Sequence, residues 1–278
     1  MKDSPVIEQI HLSDRPTKYD VHFHNSYEVI YIIRGRIRMM LHHDRVYEAG
    51  PESLVFINNL EEHSTKVMEE PYKRYFLILF PPAMDKLIKN PHLLSVYKNR
   101  PPSFCNVFDV SPISKTVERI FSSLYFETKT PDVFSREMVD CLLRKLMIAV
   151  YRNNRADFPS LSKSISPQIY SIQAFIDHNF STPISLSGLA EQYYVSVSHI
   201  SHSFKKLTGY SPMQYLLLNR LSYSKVMLSS TDLAISEVAY HSGFTDVNNF
   251  IRAFKAYYGN TPGNFRKLEK KLAPRQDH

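Results

Sequence analysis

The chain has 278 residues and only two cysteines, Cys105 and Cys141. Two isolated thiols make neither a disulfide framework nor the paired spacing of a structural zinc site. Both sit beside apolar residues and read as ordinary buried thiols of a protein kept in a reducing, cytoplasmic setting. An apolar signal core is also missing: the chain opens Met1-Lys2-Asp3-Ser4-Pro5. Long hydrophobic runs are absent too. The stretch from Tyr75 to Phe80 is among the longest, and a bilayer needs about 20 apolar residues. A membrane-tethered sensor and a membrane partner are thereby excluded. Acidic residues are in deficit, 27 Asp+Glu against 34 Lys+Arg, for a net charge of +7. From residue 160 onward there are 12 basic and 7 acidic residues, a balance of +5; the first 159 hold the other 22 and 20, a balance of +2. The excess sits where a phosphate-binding surface is expected, although many unrelated domains carry as much.

What the chain does have is a repeat. Phe204-Lys205, then Gly209, Ser211-Pro212 and Tyr215, returns fifty positions later as Phe254-Lys255, Gly259, Thr261-Pro262 and Phe265. A recurrence at this period implies two copies of one structural unit. Upstream of each copy lies a short helical stripe: Leu186, Leu189 and Ala190, and again Ile235, Val238 and Ala239. Tight turns follow, Tyr193-Tyr194-Val195 and Ser242-Gly243-Phe244. Ser196 and Asp246 then stand as N-caps of new helices. Those helices bury Ile200 with Phe204, and Phe250 with Phe254. Gly209 and Gly259 suit left-handed C-caps, and Pro212 and Pro262 suit the first turn of the next helix. Helix, turn and capped helix make a helix-turn-helix, twice over.

With those aromatics inward, Val197, Ser198, Ser201, His202 and Lys205 point out of the first reader helix. Val247, Asn248, Ile251, Arg252 and Lys255 point out of the second. Asn, Ser and Arg hydrogen-bond base edges, and Val or Ile meets a thymine methyl. Lys205 and Lys255, nearer the helix ends, suit phosphates. These ten residues are the expected contacts to double-stranded DNA. The bland reading, a helical bundle with a polar solvated face, does not account for matched caps, turns and Gly-x-Ser/Thr-Pro corners in both copies.

The run Ala239, Gly243-Phe244, Asp246, Phe250, Arg252, Phe254-Lys255, Gly259, Thr261-Pro262, Phe265-Arg266 closely resembles the signature of the AraC/XylS family of bacterial transcription regulators. The resemblance covers about residues 167 to 272. It implies two readers joined by a helix, here Pro212 to about Ser229 with Tyr215, Leu216, Leu221 and Leu228 inward. The readers would enter successive major grooves about 34 Å apart. Three positions depart from the pattern: His202 stands for a common Arg, Asn249-Phe250 for Tyr-Phe, and Ser224 for Ala. Such departures bear on base preference rather than on fold.

The first hundred residues read as β-structure. Val29 to Ile33 is strongly β-prone, Arg36 to Leu41 partly alternates, Asp44-Arg45 is a turn before Val46-Tyr47-Glu48, and Ser53 to Ile57 follows Gly50-Pro51. Several short strands at near-regular spacing predict a small barrel or sandwich. His22, His24, Glu28 and Gly35 are spaced as in the first cupin motif, which they resemble, and Gly50 with His63 resembles a loose second motif. Residues 22, 24 and 28 share parity, so on one unbroken strand they face one side. His63 joins them from a later strand. Three readings stand for His22, His24, Glu28 and His63: a metal-free polar pocket for a sugar-like effector, a metal site, and an inert barrel interior. The family resemblance favours the first, with no cofactor. Arg34, Arg36 and Arg38 read as a solvated face.

Beyond the barrel, Ile113 to Tyr125 and Phe134 to Tyr151 have helical spacing. Met138, Cys141, Leu142, Leu146, Ile148 and Ala149 make a broad apolar surface. The family resemblance suggests a homodimer through it, with Leu142 and Leu146 as anchors one turn apart; packing within one subunit is the alternative for each helix. Residues 152 to 166 are polar and Ser-rich. The expected organisation is therefore α+β and multidomain: a cupin-like effector-sensing barrel over 1–110, a helical dimerisation segment over 111–152, a linker over 153–166 and an all-α double helix-turn-helix over 167–272. The expected function is a sequence-specific DNA-binding regulator controlled by a small effector, contacting RNA polymerase if it is an activator, and not an enzyme. The rivals are a metal-dependent cupin enzyme carrying an appended DNA-binding domain, and a constitutive architectural DNA binder with an inert barrel.

Overall fold

The computed structural model describes residues 5–14, 19–41, 45–98, 100, 104–160 and 166–272. It divides into two compact units, Met1–Ser164 and Ile165–His278.

In the N-terminal unit the strands are β1 (Ile7–Ser13), β2 (Tyr19–His22), β3 (Tyr27–Leu41), β4 (Arg45–Ala49), β5 (Ser53–Ile57), β6 (His63–Leu79) and β7 (Val107–Asp109). All pair antiparallel, in the order β1-β6-β3-β5-β7, with β2 also on β6 and β4 also on β3. The expected row of short strands gives way to two long ones. Val29–Ile33 and Arg36–Leu41 are halves of a single 15-residue β3, and Tyr75–Leu79 ends the 17-residue β6. Asp44, half of the expected turn, lies outside the described residues.

Gly35 joins the halves of β3. Its φ is +82°, and the β3–β6 register shifts on both sides of it. A shift reverses the in-and-out parity of a strand. Upstream, Ile30 and Ile32 face an inner cluster; downstream, Ile37, Met39 and Leu41 join the same cluster, with Val55, Ile57 and Tyr72. The opposite parity, Tyr27, Val29 and Tyr31, faces a second cluster built with the helices. This is why Val29–Ile33 is apolar throughout: both faces are covered. Around and beyond Gly35, Arg34, Arg36 and Arg38 are exposed, as expected, and Arg38 pairs with Glu48 at 2.7 Å.

The helices of this unit are α1 (Pro81–Leu87), α2 (Pro91–Lys98), α3 (Ser114–Lys129) and α4 (Ser135–Asn153). The first two fall inside what sequence reading assigned to barrel alone. Pro112 lies in a short 3-10 turn before α3. Val117, Ile120, Phe121 and Leu124 of α3, and Val139, Leu143, Leu146, Met147 and Val150 of α4, close over the sheet. Leu146 is thus 1% exposed and not free to anchor a partner, and Leu142 is half-buried against the same core. The residues left out are Phe134, Met138, Cys141 and Ile148. Both cysteines are exposed rather than buried. The expected linker begins inside this unit: the Asn153 and Asn154 amides donate to the Asp109 carbonyl at 3.1 and 2.9 Å, and Phe158 is buried. Residues 161–165 lie outside the described set.

The second unit is helical: α5 (Pro167–Asn179), α6 (Leu186–Gln192), α7 (Val197–Thr208), α8 (Pro212–Ser230), α9 (Ile235–His241), α10 (Val247–Tyr258) and α11 (Pro262–Leu272). Every cap read from the repeat is present. Ser196 Oγ accepts from the His199 N–H at 3.1 Å, and Asp246 Oδ1 from Asn248 N–H at 2.7 Å. Gly209 and Gly259 take φ of +84° and +74°. Pro212 and Pro262 open their helices. Ile200, Phe204, Phe250 and Phe254 are each 0% exposed, so truncating either Phe pair member to Ala costs about 3–5 kcal/mol. Tyr215, Leu216, Leu221 and Leu228 are buried along α8 as expected. Ser224, also buried, satisfies its hydroxyl on the Leu221 carbonyl at 2.7 Å, so the substitution for Ala leaves no unpaired donor.

Glycine substitutions separate the two reasons for a left-handed residue. A Cβ on Gly35 would lie 2.6 Å from the Glu69 carbonyl oxygen, whereas one on Gly259 meets nothing within 4 Å. Gly35→Ala is expected to destabilise the N-terminal unit by on the order of 3 kcal/mol, strain plus overpacking. Gly259→Ala should cost only about 1–2 kcal/mol, the dihedral penalty alone. Urea unfolding of the full chain checks this; equal losses at the two sites would contradict the packing account.

Candidate functional site

At one end of the N-terminal unit four side chains converge. His22 ends β2 and lies directly opposite His63, the first residue of β6. The chain then leaves the strand and re-enters as β3 at Tyr27, so residues 22, 24 and 28 do not share one unbroken strand. The parity argument fails, yet the residues meet, because the intervening turn folds back on another. The Leu60 N–H donates to the His24 carbonyl at 2.7 Å, and the Asn59 amide donates to Asn25 Oδ1 at 3.1 Å.

The ring centroids are 4.2 Å apart for His22–His63, 5.1 Å for His24–His63 and 6.0 Å for His22–His24. Glu28 Oε2 lies 2.9 Å from His24 Nε2 and 3.4 Å from His63 Nε2. The other ring nitrogens are held by backbone: His24 Nδ1 is 3.0 Å from the Ser26 carbonyl, and His63 Nδ1 is 2.8 Å from the Glu61 carbonyl. A carbonyl only accepts, so each Nδ1 carries a hydrogen and each Nε2 faces the carboxylate. Burial raises the Glu28 carboxyl, but hydrogen bonds from His24 and His63, with their charge, outweigh it and hold it well below the usual carboxylate range. Burial lowers His63, and the Glu28 bond and charge, aided by Glu61, more than reverse this and lift it above the ordinary imidazole value. Glu28 and His63 thus favour the charged pair, carboxylate with imidazolium. The His24 side chain remains 24% exposed while those of Glu28 and His63 are at 9% and 2%, so the cluster opens to solvent on the His24 side.

Beneath the cluster is a buried clamp that sequence reading missed. Glu61, 3% exposed, accepts from the Arg100 guanidinium and, through Oε2, from the Asn58 N–H at 2.8 Å. Arg100 also donates to the Phe56 carbonyl at 2.9 Å, which the Asn106 amide reaches at 2.7 Å. This fixes the turn from Asn58 to Glu61 and hence the carbonyl that orients His63. Glu61 and Arg100 lie 39 positions apart, and no local spacing announces the pair.

The second site is the exposed faces of α7 and α10. Val197, Ser198, His202 and Lys205 are exposed on α7, as are Asn248, Arg252 and Lys255 on α10. Three expected contacts are less free. Ser201 is half-buried and donates its hydroxyl to the Val197 carbonyl at 2.9 Å; Val247 and Ile251 are half-buried against the core of the second repeat. His199 and Asn249, equivalent in the two copies and both exposed, were passed over as contacts. Their fifty-residue spacing was the available signal. Asn249 Oδ1 accepts from the Arg252 guanidinium and holds it along the helix face.

Arg100→Met would leave Glu61 buried without its main counter-charge. A loss of about 3–5 kcal/mol from the N-terminal unit is expected, read as a lowered urea midpoint; a change under about 1 kcal/mol would show the clamp to be solvent-screened.

Comparison with known proteins places both units. The family model described as the AraC-like ligand binding domain matches residues 4–147, more than half of the chain, and that of the helix-turn-helix domain matches residues 189–268. YfiF of Bacillus subtilis (strain 168), an uncharacterized HTH-type transcriptional regulator, is 26% identical over 260 residues, spanning 90% of this chain and 79% of its own length. YdiP of Escherichia coli (strain K12), likewise described, is 22% identical over 285 residues, spanning 99% of this chain and 90% of its own. The solved structure of ToxT from Vibrio cholerae strain SCE256 with bound unsaturated fatty acid shares the fold, with a TM-score of 0.60 at 13% identity, covering 99% of this chain and 100% of ToxT. No helix among the described residues is long and apolar enough to cross a membrane. An AraC-like ligand-binding unit followed by paired helix-turn-helix motifs makes this chain a member of the AraC family of DNA-binding transcription regulators.

Proposed function

We propose that the chain is a non-enzymatic, cytoplasmic regulator that reads double-stranded DNA through α7 and α10 under the control of a small effector bound at His22, His24, Glu28 and His63. The observation that carries this is the pair of matched, capped reader helices with polar and basic outer faces. In this reading Asn248 and Arg252 meet base edges and Lys205 and Lys255 meet phosphates. Exposed His199 and Asn249 extend the contact set. Effector binding shifts the balance between arrangements of the two units, one of which suits DNA; an activator would also contact RNA polymerase.

The effector is sugar-like. ToxT holds a fatty acid, but three imidazoles and a carboxylate opening to solvent favour hydroxyls. A thermal-shift panel of sugars, polyols and hydroxy acids on the full chain tests this. A stabilising compound should lose its effect in Glu28→Ala and His24→Ala. A stabilising compound whose effect survives both substitutions would place the effector elsewhere.

The functional unit is a homodimer through α4. Phe134, Met138, Cys141, Lys145 and Ile148 are exposed at alternating spacings of four and three, the seam pattern of paired helices. A second copy supplies a matching seam, and a dimer raises the local concentration of readers without new base contacts.

Arg252→Ala should weaken binding to a selected duplex by about 1–3 kcal/mol and relax preference at one base pair. Lys255→Ala should weaken all sequences alike and flatten the salt dependence. Unchanged footprints for both variants would refute the reader assignment. Met138→Glu with Ile148→Glu should give a folded monomer by sedimentation; a variant that stays dimeric would place the interface elsewhere.

A further inference from the structure

We infer that the helical unit carries a second ligand site, a cleft that takes a small organic anion with an apolar body and, when filled, weakens DNA binding. The cleft is built wholly from residues between 181 and 245. None of the four residues assigned to the effector belongs to it, so it goes beyond that reading.

The cleft has a volume of about 540 Å³ and lies where the loop before α6 meets the turn before α10. Ligand pockets run from about 300 to 1,000 Å³. Ser181, Pro183 and Ile184 line it from the loop, Tyr240 and Thr245 from the end of α9 and its turn, and Arg220 from α8. Backbone contact holds the two sides together. A Cβ on Gly243 would lie 2.7 Å from both the Phe180 carbonyl oxygen and Ser181 Cα, so only glycine, at a φ of +86°, permits the approach. The site is therefore formed before any ligand arrives, which keeps the ordering cost of binding low.

Arg220 supplies the charge. Its Nε donates to the Phe180 carbonyl at 2.8 Å and its Nη2 to the Thr182 carbonyl at 2.9 Å. A guanidinium carries five N–H donors, and the remaining ones have no partner among the described residues. The side chain is half-buried, 6.0 Å from the centroid of the Phe244 ring. Burial lowers the guanidinium from its ordinary value, and no carboxylate offsets that. Arg220 thus has carbonyl acceptors but no counter-charge among the described residues. A planar carboxylate meets its unused donors and balances it.

The rest of the lining decides the kind of anion. The Ser181, Tyr240 and Thr245 hydroxyls have no side-chain partner among the described residues and can bond a ligand. Pro183, Ile184 and Phe244 add apolar surface. A carboxylate on an aromatic or branched body satisfies both, whereas a DNA phosphate brings nothing apolar to those walls. Thr245 directly precedes Asp246, the cap of α10. An anion bound there sets negative charge beside the start of a reader helix, where it opposes approach of the phosphates. By linkage, anion and DNA weaken each other by the same factor.

The test titrates the full chain with naphthoate, followed by fluorescence, with neutral naphthamide as the isostere lacking charge. One naphthoate per chain is expected, and naphthamide weaker by at least about tenfold. Arg220→Met should abolish the site, but it also releases two carbonyls and can unfold the loop. Thr245→Glu, at an exposed position, sets a fixed carboxylate on the cleft. It should keep the wild-type Tm and weaken naphthoate at least about tenfold. Saturating naphthoate should lower wild-type affinity for a duplex selected from a random pool, and should leave Thr245→Glu unaffected. Absence of saturable binding, equal binding of naphthamide, undiminished binding by Thr245→Glu, or a filled site with unchanged duplex affinity overturns the inference. If naphthoate fails to bind and a folded Arg220→Met chain loses duplex affinity, the cleft belongs to a DNA phosphate, and the inference is overturned in that case too.

Discussion

A single reversal of strand parity organises the N-terminal unit. Every other strand but β7, which pairs with β5, pairs with β3 or β6, and those two run through both halves of the sheet. Were β3 regular over its length, Ile37, Met39 and Leu41 would face away from the cluster that Ile30 and Ile32 enter. The bulge at Gly35 turns them back, so both halves line one interior. Only a residue without Cβ fits, because the Glu69 and Pro71 carbonyls and the Tyr72 backbone close on that position. The same parity points Glu28 inward, where His63, paired to the other end of β3, reaches it at 3.4 Å.

The second unit depends on corners rather than on a bulge. Each reader helix is set by a cap in front and a left-handed glycine behind, and its two aromatic residues lock it to the rest. The copies differ in one respect. Equivalent bonds close both turns, Val195 N–H to Ala190 and Phe244 N–H to Ala239. Ser196 then caps at once, whereas Thr245 intervenes before Asp246. The left-handed residue is Gly243 in one turn, pressed against the Phe180 carbonyl and Ser181, and the 95% exposed Tyr194 in the other. The first turn thus bears the dihedral strain that the second avoids.

Local grammar was legible and cross-chain geometry was not. Caps, glycine corners and the inward stripe of α8 could be read because their causes lie within a few residues of each other. The four polar residues do come together, but for a different reason: residues 22, 24 and 28 meet through a folded-back turn and a cross-strand pair, not through shared parity. Leu146 was taken for a surface anchor because periodicity gives a stripe but not which neighbour covers it. In the structure Leu146 lies in the core and Met138 and Ile148 are the exposed apolar residues of that helix. Cys141 was misread for the same reason. The Glu61–Arg100 clamp had no local trace at all, since a buried ion pair is made by residues far apart in the chain.

The connecting helix α8 has a consequence of its own. Its 19 residues span about 28 Å, and it is gripped at both ends, by Phe204 on Tyr215 with rings 5.3 Å apart, and by the second repeat's core on Leu221 and Leu228. Tyr215 is further tied to α5 through Asp177 and Gln173. Such a rod sets phase as well as length. Each residue added to or lost from it would advance or retard one reader by about 100° around the helix axis, far more than a groove tolerates. Insertions and deletions in α8 are therefore closed to drift, and specificity in this chain is free to diverge only by exchanging side chains on a frame of constant pitch.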